Sequence, residues 1–133
     1  MRVADIMRTS LKTIAADATI TDAVAALTDA KINALPVIDR YGRAVGVCST
    51  RDVLQAESRC RTAVERNQLF EQGLVLEIMT AWPTTVKPYM ELREVAREML
   101  RCGVPRFFVE LEGALVGVVS QTDIVAAVAS ALV

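Results

Sequence analysis

A seven-residue pattern, Gly-Val-x-Ser-x-x-Asp, occurs twice in this chain, as GVCSTRD at 46–52 and as GVVSQTD at 117–123. A serine followed three residues later by an acid is a helix capping box, in which the hydroxyl accepts from a backbone N–H and the carboxylate accepts from the backbone of the serine. Capping accounts for the Ser and the Asp but leaves the glycine unexplained. A glycine inside a strand weakens it, and often marks a place where a ligand or another backbone comes close. Writing the whole pattern twice points to an internal duplication, and a duplication constrains the fold before any other feature does.

The rest of the chain agrees. DIM at 5–7 returns as EIM at 77–79, an offset of 72 (79 less 7), and Thr13-Ile14 returns as Thr85-Val86, and Val37 as Val109, at the same offset. Beyond one turn the offset falls to 71 (117 less 46), aligning Gly42 with Gly113, Val45 with Val116, Gly46 with Gly117, Ser49 with Ser120 and Asp52 with Asp123. Within each unit the hydrophobic period changes in one order. Unit one has an extended piece at Lys12 to Ile14 and a helix burying Ile20, Val24 and Leu27, capped by Thr19 and Asp22. Strands at Leu35 to Ile38 and Ala44 to Cys48 follow, turned by Gly42, and a helix opens near Thr50. Unit two repeats this with an extended piece at Thr85-Val86, a helix carrying Leu92, Val95, Ala96 and Met99, strands at Phe107 to Leu111 and Leu115 to Val119, and a helix from about Gln121. That helix at Leu92 lacks a good cap, although Glu91 and Glu94 suit the positive end of its dipole.

The expected architecture is α+β: two β-α-β-β-α repeats, 1–57 and 76–133, joined by a helical connector at 58–75. The connector reads as an extension of the preceding helix that Gly73 stops, with Val64, Leu69 and Phe70 seeking burial. A chain of 133 residues builds one core or two small units that share one, and a three-stranded half buries only one face of its sheet. The halves are therefore expected to pack with pseudo-twofold symmetry and to send equivalent residues into a common cleft.

Composition excludes several function classes. A formal net charge of −1 and six aromatic residues supply neither a field for phosphate backbone nor stacking platforms for single strands, so no nucleic-acid partner is expected. The apolar stretch DIVAAVASALV is shorter than the ~20 residues that span a bilayer, and residues 1 to 20 have no signal-peptide pattern, which predicts a soluble, cytoplasmic protein with no membrane partner. Cys48, Cys60 and Cys102 show no CxxC spacing and read as reduced, buried, small apolar side chains rather than a zinc site or a disulfide framework. Histidine is absent, which removes the commonest general base and metal ligand. No enzyme, no catalytic residue and no metal site are expected.

The functional reading of Ser-x-x-Asp uses the geometry of the cap itself. A helix start offers free N–H groups and a positive dipole end to an anion, a hydroxyl there bonds a phosphate, and a carboxylate one turn on accepts the hydroxyls of a ribose. Capping and ligand binding both remain open on spacing alone.

The order of these motifs, twice over, resembles a tandem pair of CBS domains (a Bateman module) as a free-standing protein: Ile-Met near each start, a Thr-hydrophobic strand, a helix, LPVID at 35–39, and Gly-hydrophobic-x-Ser-x-x-Asp before the last helix. The resemblance implies a regulatory module that binds an adenosyl ligand, AMP, ADP or ATP, in a cleft between repeats and signals occupancy by a conformational shift. No other cofactor is implied. It makes Asp123 and Ser120 the ribose and phosphate residues of a first site, with Thr13, Ala34, Leu35, Pro36 and Val37 completing it. A second site takes Asp52, Ser49, Thr85 and Arg106. The sites are unequal, because unit one reads ALPV where unit two reads RFFV. Phe107 and Phe108 are expected in core or interface packing, with Phe108 also a candidate to fill adenine space and Arg106 to meet a polyphosphate. Arg51, Arg59, Arg61 and Arg66 are expected on a solvated helix face. The apolar tail, Ile124 to Val133, reads as a subunit interface, since the resemblance implies a homodimer, which would act on an unnamed regulated protein. The alternative is a dimerising scaffold whose motifs only cap helices and which binds no nucleotide.

Overall fold

The computed structural model describes residues 1–81 and 84–131, so Leu132 and Val133 of the expected interface tail lie outside the described residues. The chain forms two compact units: Lys12–Trp82, and Met1–Leu11 together with Pro83–Val133. Each unit thus takes its Ile-Met segment from the other sequence repeat.

In the first of these, Lys12–Trp82, the chain runs through β1 (Ile14–Ala15), α1 (Ile20–Ala30), β2 (Ala34–Ile38), β3 (Ala44–Ser49), α2 (Thr50–Ser58), α3 (Ala63–Gln72), a short α4 (Val75–Ile78) and β4 (Thr80–Ala81). The strands form one sheet in the order β1-β2-β3-β4, with β1 parallel to β2 and the other pairs antiparallel. α1 starts where its spacing predicts: the Asp22 N–H donates to Thr19 Oγ1 at 3.1 Å, and Ile20, Ala23 and Leu27 are buried. The β2-β3 hairpin turns on Asp39, whose Oδ1 accepts from the Tyr41 and Arg43 N–H groups at 2.8 and 3.0 Å, and on Gly42, whose φ of +79° suits a residue without Cβ. Ile14, Ala23, Leu27, Leu35, Val37, Cys48 and Val75 make the core of this unit.

The connector departs from expectation. α2 ends at Ser58 and does not extend; a separate α3 begins after Thr62, whose hydroxyl accepts from the Glu65 N–H at 3.1 Å. Thr-x-x-Glu is itself a start signal, and it outweighed the helix-compatible residues around it. Val64 is 65% exposed rather than buried, while Leu69 and Phe70 are half-buried. Gly73 does stop α3, but in an extended conformation: a Cβ there would collide with the Leu69 carbonyl oxygen and lie 2.9 Å from Ile20 Cδ1.

The other unit joins a 3-10 turn (Val3–Asp5) to α5 (Leu92–Cys102), β5 (Arg106–Leu111), β6 (Ala114–Ser120) and α6 (Gln121–Ala131). β5 and β6 pair antiparallel. A parallel bridge from Val86 to Val109 and an antiparallel bridge from Arg8 to Val118 stand where the first unit has β1 and β4. α5 has no side-chain cap, and the Met1 carbonyl instead accepts from the Leu92 N–H at 2.9 Å. Leu92, Val95 and Met99 face a core shared with Val3, Val86, Phe107, Val109, Val119 and Ile124. The whole is an α+β architecture of two repeated units.

Candidate functional site

The repeated glycines are explained by backbone, not by open space. In β3, Gly46 pairs with Ala81 and Val47 with Thr80, so a Cβ at Gly46 would lie 2.6 Å from Met79 Sδ and 2.7 Å from the Thr80 carbonyl oxygen. At Gly117 a Cβ would lie 2.8 Å from Met7 Sδ and 3.0 Å from the Arg8 carbonyl oxygen. Arg8 and Val118 exchange backbone hydrogen bonds of 2.9 and 3.0 Å across this contact. Each glycine therefore lets the residue after an Ile-Met pair lie against the strand that leads into the Ser-x-x-Asp helix.

The consequence is seen three residues further along each strand. Ser49 caps α2: its hydroxyl accepts from the Asp52 N–H at 3.1 Å, and Asp52 Oδ2 accepts from the Ser49 N–H at 2.8 Å and from its hydroxyl at 2.9 Å. Asp52 Oδ1 accepts from Thr80 Oγ1 at 2.9 Å, and the residue is buried, with 8% of its surface exposed. Ser120 caps α6 in the same way. Its hydroxyl accepts from the Asp123 N–H at 3.1 Å and its N–H donates to Asp123 Oδ2 at 3.0 Å. Here the partner of Oδ1 is Arg8, whose Nε and Nη2 both lie 3.2 Å away. Capping is thus real at both places, and at both a carboxylate stands beside a helix N-terminus with a further donor on its second oxygen.

Burial pushes the Asp123 carboxyl up, but the Ser120 backbone and hydroxyl and the Arg8 guanidinium outweigh it and hold the group below its ordinary value. A carboxyl depressed in the folded state contributes stability that is present above its unfolded value of about 3.9 and fades as the pH falls through the folded value. Burial, with the Asp52 charge nearby, pushes the Cys48 thiol up to about 11. Cys48 is buried as expected; Cys60 is half-buried and Cys102 exposed, because Cys102 ends α5 on its outer side rather than facing the core.

The other residues implied by the resemblance are placed as follows. Thr13 is half-buried just before β1, and Ala34 is half-buried at the start of β2. Leu35, Pro36 and Val37 are buried, and the Leu35 and Val37 side chains are committed to the core. In the other unit Thr85 is half-buried before Val86, and Arg106 is exposed at the start of β5. Phe107 lies in the core and Phe108 is 5% exposed. Arg66 pairs with Glu57 at 3.1 Å, and Arg51, Arg59 and Arg61 are exposed, Arg51 alone of these being within a helix. A groove of about 670 Å³ lined by Leu92, Ala96, Ile124 and Val128 lies between α5 and α6, and neither acid lines it.

The motif reading missed Arg8 and Thr80. Both stand directly after the Ile-Met pairs and align at the offset of 72 (80 less 8), so the duplication marked them as equivalent. Their partnership with the acids is a tertiary fact: Arg8 and Asp123 are 115 residues apart.

Comparison with known proteins identifies the family and the fold. The family model of the CBS domain fits residues 3–59 and 75–130. The structure of CBSX2 in complex with AMP superposes with a TM-score of 0.80 at 27% identity, covering 99% of this chain and 98% of that one. The structure of a putative acetoin utilization protein (AcuB) from Vibrio cholerae gives 0.82 at 26%, covering 99% and 93%. The curated protein MJ1225 of Methanocaldococcus jannaschii, described as uncharacterized, is 25% identical over 123 residues, 92% of this chain but 41% of that protein's length. Among the described residues no helix is long and apolar enough to cross a membrane. With two matched segments in tandem and the duplicated strand, cap and acid in place, the chain belongs to the CBS domain family.

Proposed function

We propose that this CBS pair is a regulatory module that binds an adenosyl ligand, foremost AMP, ADP or ATP, and signals its presence by a shift between conformations. The observation that carries this reading is the duplicated helix start, where a serine hydroxyl and a carboxylate stand together at the positive end of α2 and again of α6. The AMP complex of CBSX2 supports the ligand class. A ligand acts as a signal only through a difference in its affinity for two states. Val125 and Val128, 67% and 51% exposed on α6, support the homodimer as part of the same reading.

The competing reading, a scaffold whose motifs only cap, draws on the fact that both oxygens of the buried Asp52 already have protein donors. Thermal melting in a nucleotide panel separates the two. A ligand at 100 times its Kd adds about 2.7 kcal/mol, which is a rise of roughly 5 to 10 °C for a domain of this size. The module predicts such a rise with AMP or another adenine nucleotide, reduced in Asp123→Ala when measured against that variant's own ligand-free melting point. No rise with any nucleotide would favour the scaffold. Substituting Thr13, Ala34, Thr85 and Arg106 singly in the same assay tests the remaining residues that the resemblance implies.

A further inference from the structure

The two helix starts differ at Thr50-Arg51 against Gln121-Thr122, and at the residue that bonds Oδ1 of the acid, where position 80 is threonine and position 8 is arginine. Both residues lie against a strand glycine, and both reach Oδ1 of the acid. A threonine hydroxyl contributes one neutral bond and, once displaced, is satisfied by water. The guanidinium is different, because it brings a full charge and sets two nitrogens on the same oxygen. Building on the adenosyl-ligand reading above, we propose that Arg8 makes the Asp123 site selective for adenosyl ligands that carry a phosphate, whereas the Asp52 site, with Thr80, discriminates far less.

Each carboxylate oxygen has two lone pairs. Asp123 Oδ2 accepts from the Ser120 N–H, and Oδ1 accepts from Arg8 Nε and Nη2. Two ribose hydroxyls cannot both reach this acid in good geometry until Arg8 releases Oδ1. The Arg8 side chain is 70% exposed, so release breaks only a screened surface pair, and such pairs contribute little. What happens next depends on the ligand. A nucleoside without phosphate leaves the guanidinium to water and gains nothing from it. A phosphate beside the ribose offers that planar guanidinium a bidentate, charge-assisted partner. The positive end of α6 acts in the same direction. Arg8 therefore opposes every ligand slightly and repays only the anionic ones. At Asp52 the group displaced is the neutral Thr80 hydroxyl, which offers a phosphate one uncharged donor in place of a charged fork.

Calorimetric titration of adenosine and AMP into the full chain tests this, using wild type, Arg8→Thr and Asp123→Ala, the last to identify which binding event belongs to Asp123. At that event wild type is expected to prefer AMP over adenosine by about tenfold more than Arg8→Thr does, a single order of magnitude being about 1.4 kcal/mol. The variant should bind adenosine as well as or better than wild type, since its acid is less encumbered. If Arg8→Thr fails to fold, Arg8→Gln, which removes the charge at similar length, carries the same expectation. An AMP preference unchanged by these substitutions would overturn the role of Arg8 and leave adenosyl binding standing. Absence of heat with both ligands in wild type and variants would overturn both the role of Arg8 and the reading beneath it.

Discussion

Gly46→Ala is expected to destabilise the protein by about 3 kcal/mol, the upper part of the range for forcing extra atoms into a packed site, and to lower the melting point by roughly 10 °C. The cost is not conformational, since Gly46 is a strand residue with no positive φ. It is a collision. Met79 Sδ, 2.6 Å from the added methyl, ends a flexible side chain and can turn aside, but the Thr80 carbonyl oxygen at 2.7 Å is backbone. To relieve it, β4 must leave β3, breaking the Gly46-Ala81 and Val47-Thr80 pairs and drawing Thr80 away from Asp52. Gly117→Ala should cost less, because its backbone neighbour, the Arg8 oxygen, stands at 3.0 Å. Gly42→Ala serves as the control: nothing lies within 4 Å of its Cβ position, and only its φ of +79° is unfavourable, worth about 1 kcal/mol. Thermal and denaturant unfolding of the three variants gives the order. Gly46→Ala matching Gly42→Ala would show that the segment after Met79 does not lie against this strand.

Asp52→Ala is expected to cost about 2 to 3 kcal/mol, roughly 1 for each hydrogen bond its carboxylate accepts at a shielded site, while the Ser49 hydroxyl keeps its bond from the backbone N–H of residue 52. The carboxylate accepts from the Ser49 N–H, the Ser49 hydroxyl and the Thr80 hydroxyl, and all three donors lose their partner at once. Asp123→Ala removes the matching bond from the Ser120 N–H, but the Arg8 pair it also breaks is exposed on one side, so about 1 to 1.5 kcal/mol is expected once solvent screening is allowed for. Asp52→Asn, which keeps an acceptor for the cap, should fall between Asp52→Ala and wild type. Equal losses for Asp52→Ala and Asp123→Ala in urea unfolding would mean that burial and the Thr80 bond add nothing at Asp52.

The duplication made most of the fold legible. The pattern at 46–52 and 117–123 located both final helices, and Thr19 with Asp22 located α1. These are local signals: a cap, a periodic face and a turn glycine act within a few residues of one another. Where two local signals competed, as at Thr62 and Glu65 inside a run of helix-compatible residues, the run pointed to an extended helix and the cap prevailed. The candidate site was legible to the same depth. Its serines and acids were readable as caps, and the glycines as places of close approach. Which backbone approaches, and that Arg8 and Thr80 come with it, depends on pairings between distant parts of the chain, 115 residues for Arg8 and 28 for Thr80. Spacing within one repeat has no access to such a partner. Only the equivalence of positions 8 and 80 hinted that whatever one of them does, the other does too.

The most direct test of the account is a crystal structure of this chain grown with AMP. The account predicts the ribose hydroxyls on the carboxylate of Asp123 or Asp52 and the phosphate at the N-terminus of α6 or α2, with Arg8 released from Asp123 wherever that site is filled. AMP bound elsewhere, such as the groove between α5 and α6, with both carboxylates still held by Arg8 and Thr80, would contradict it.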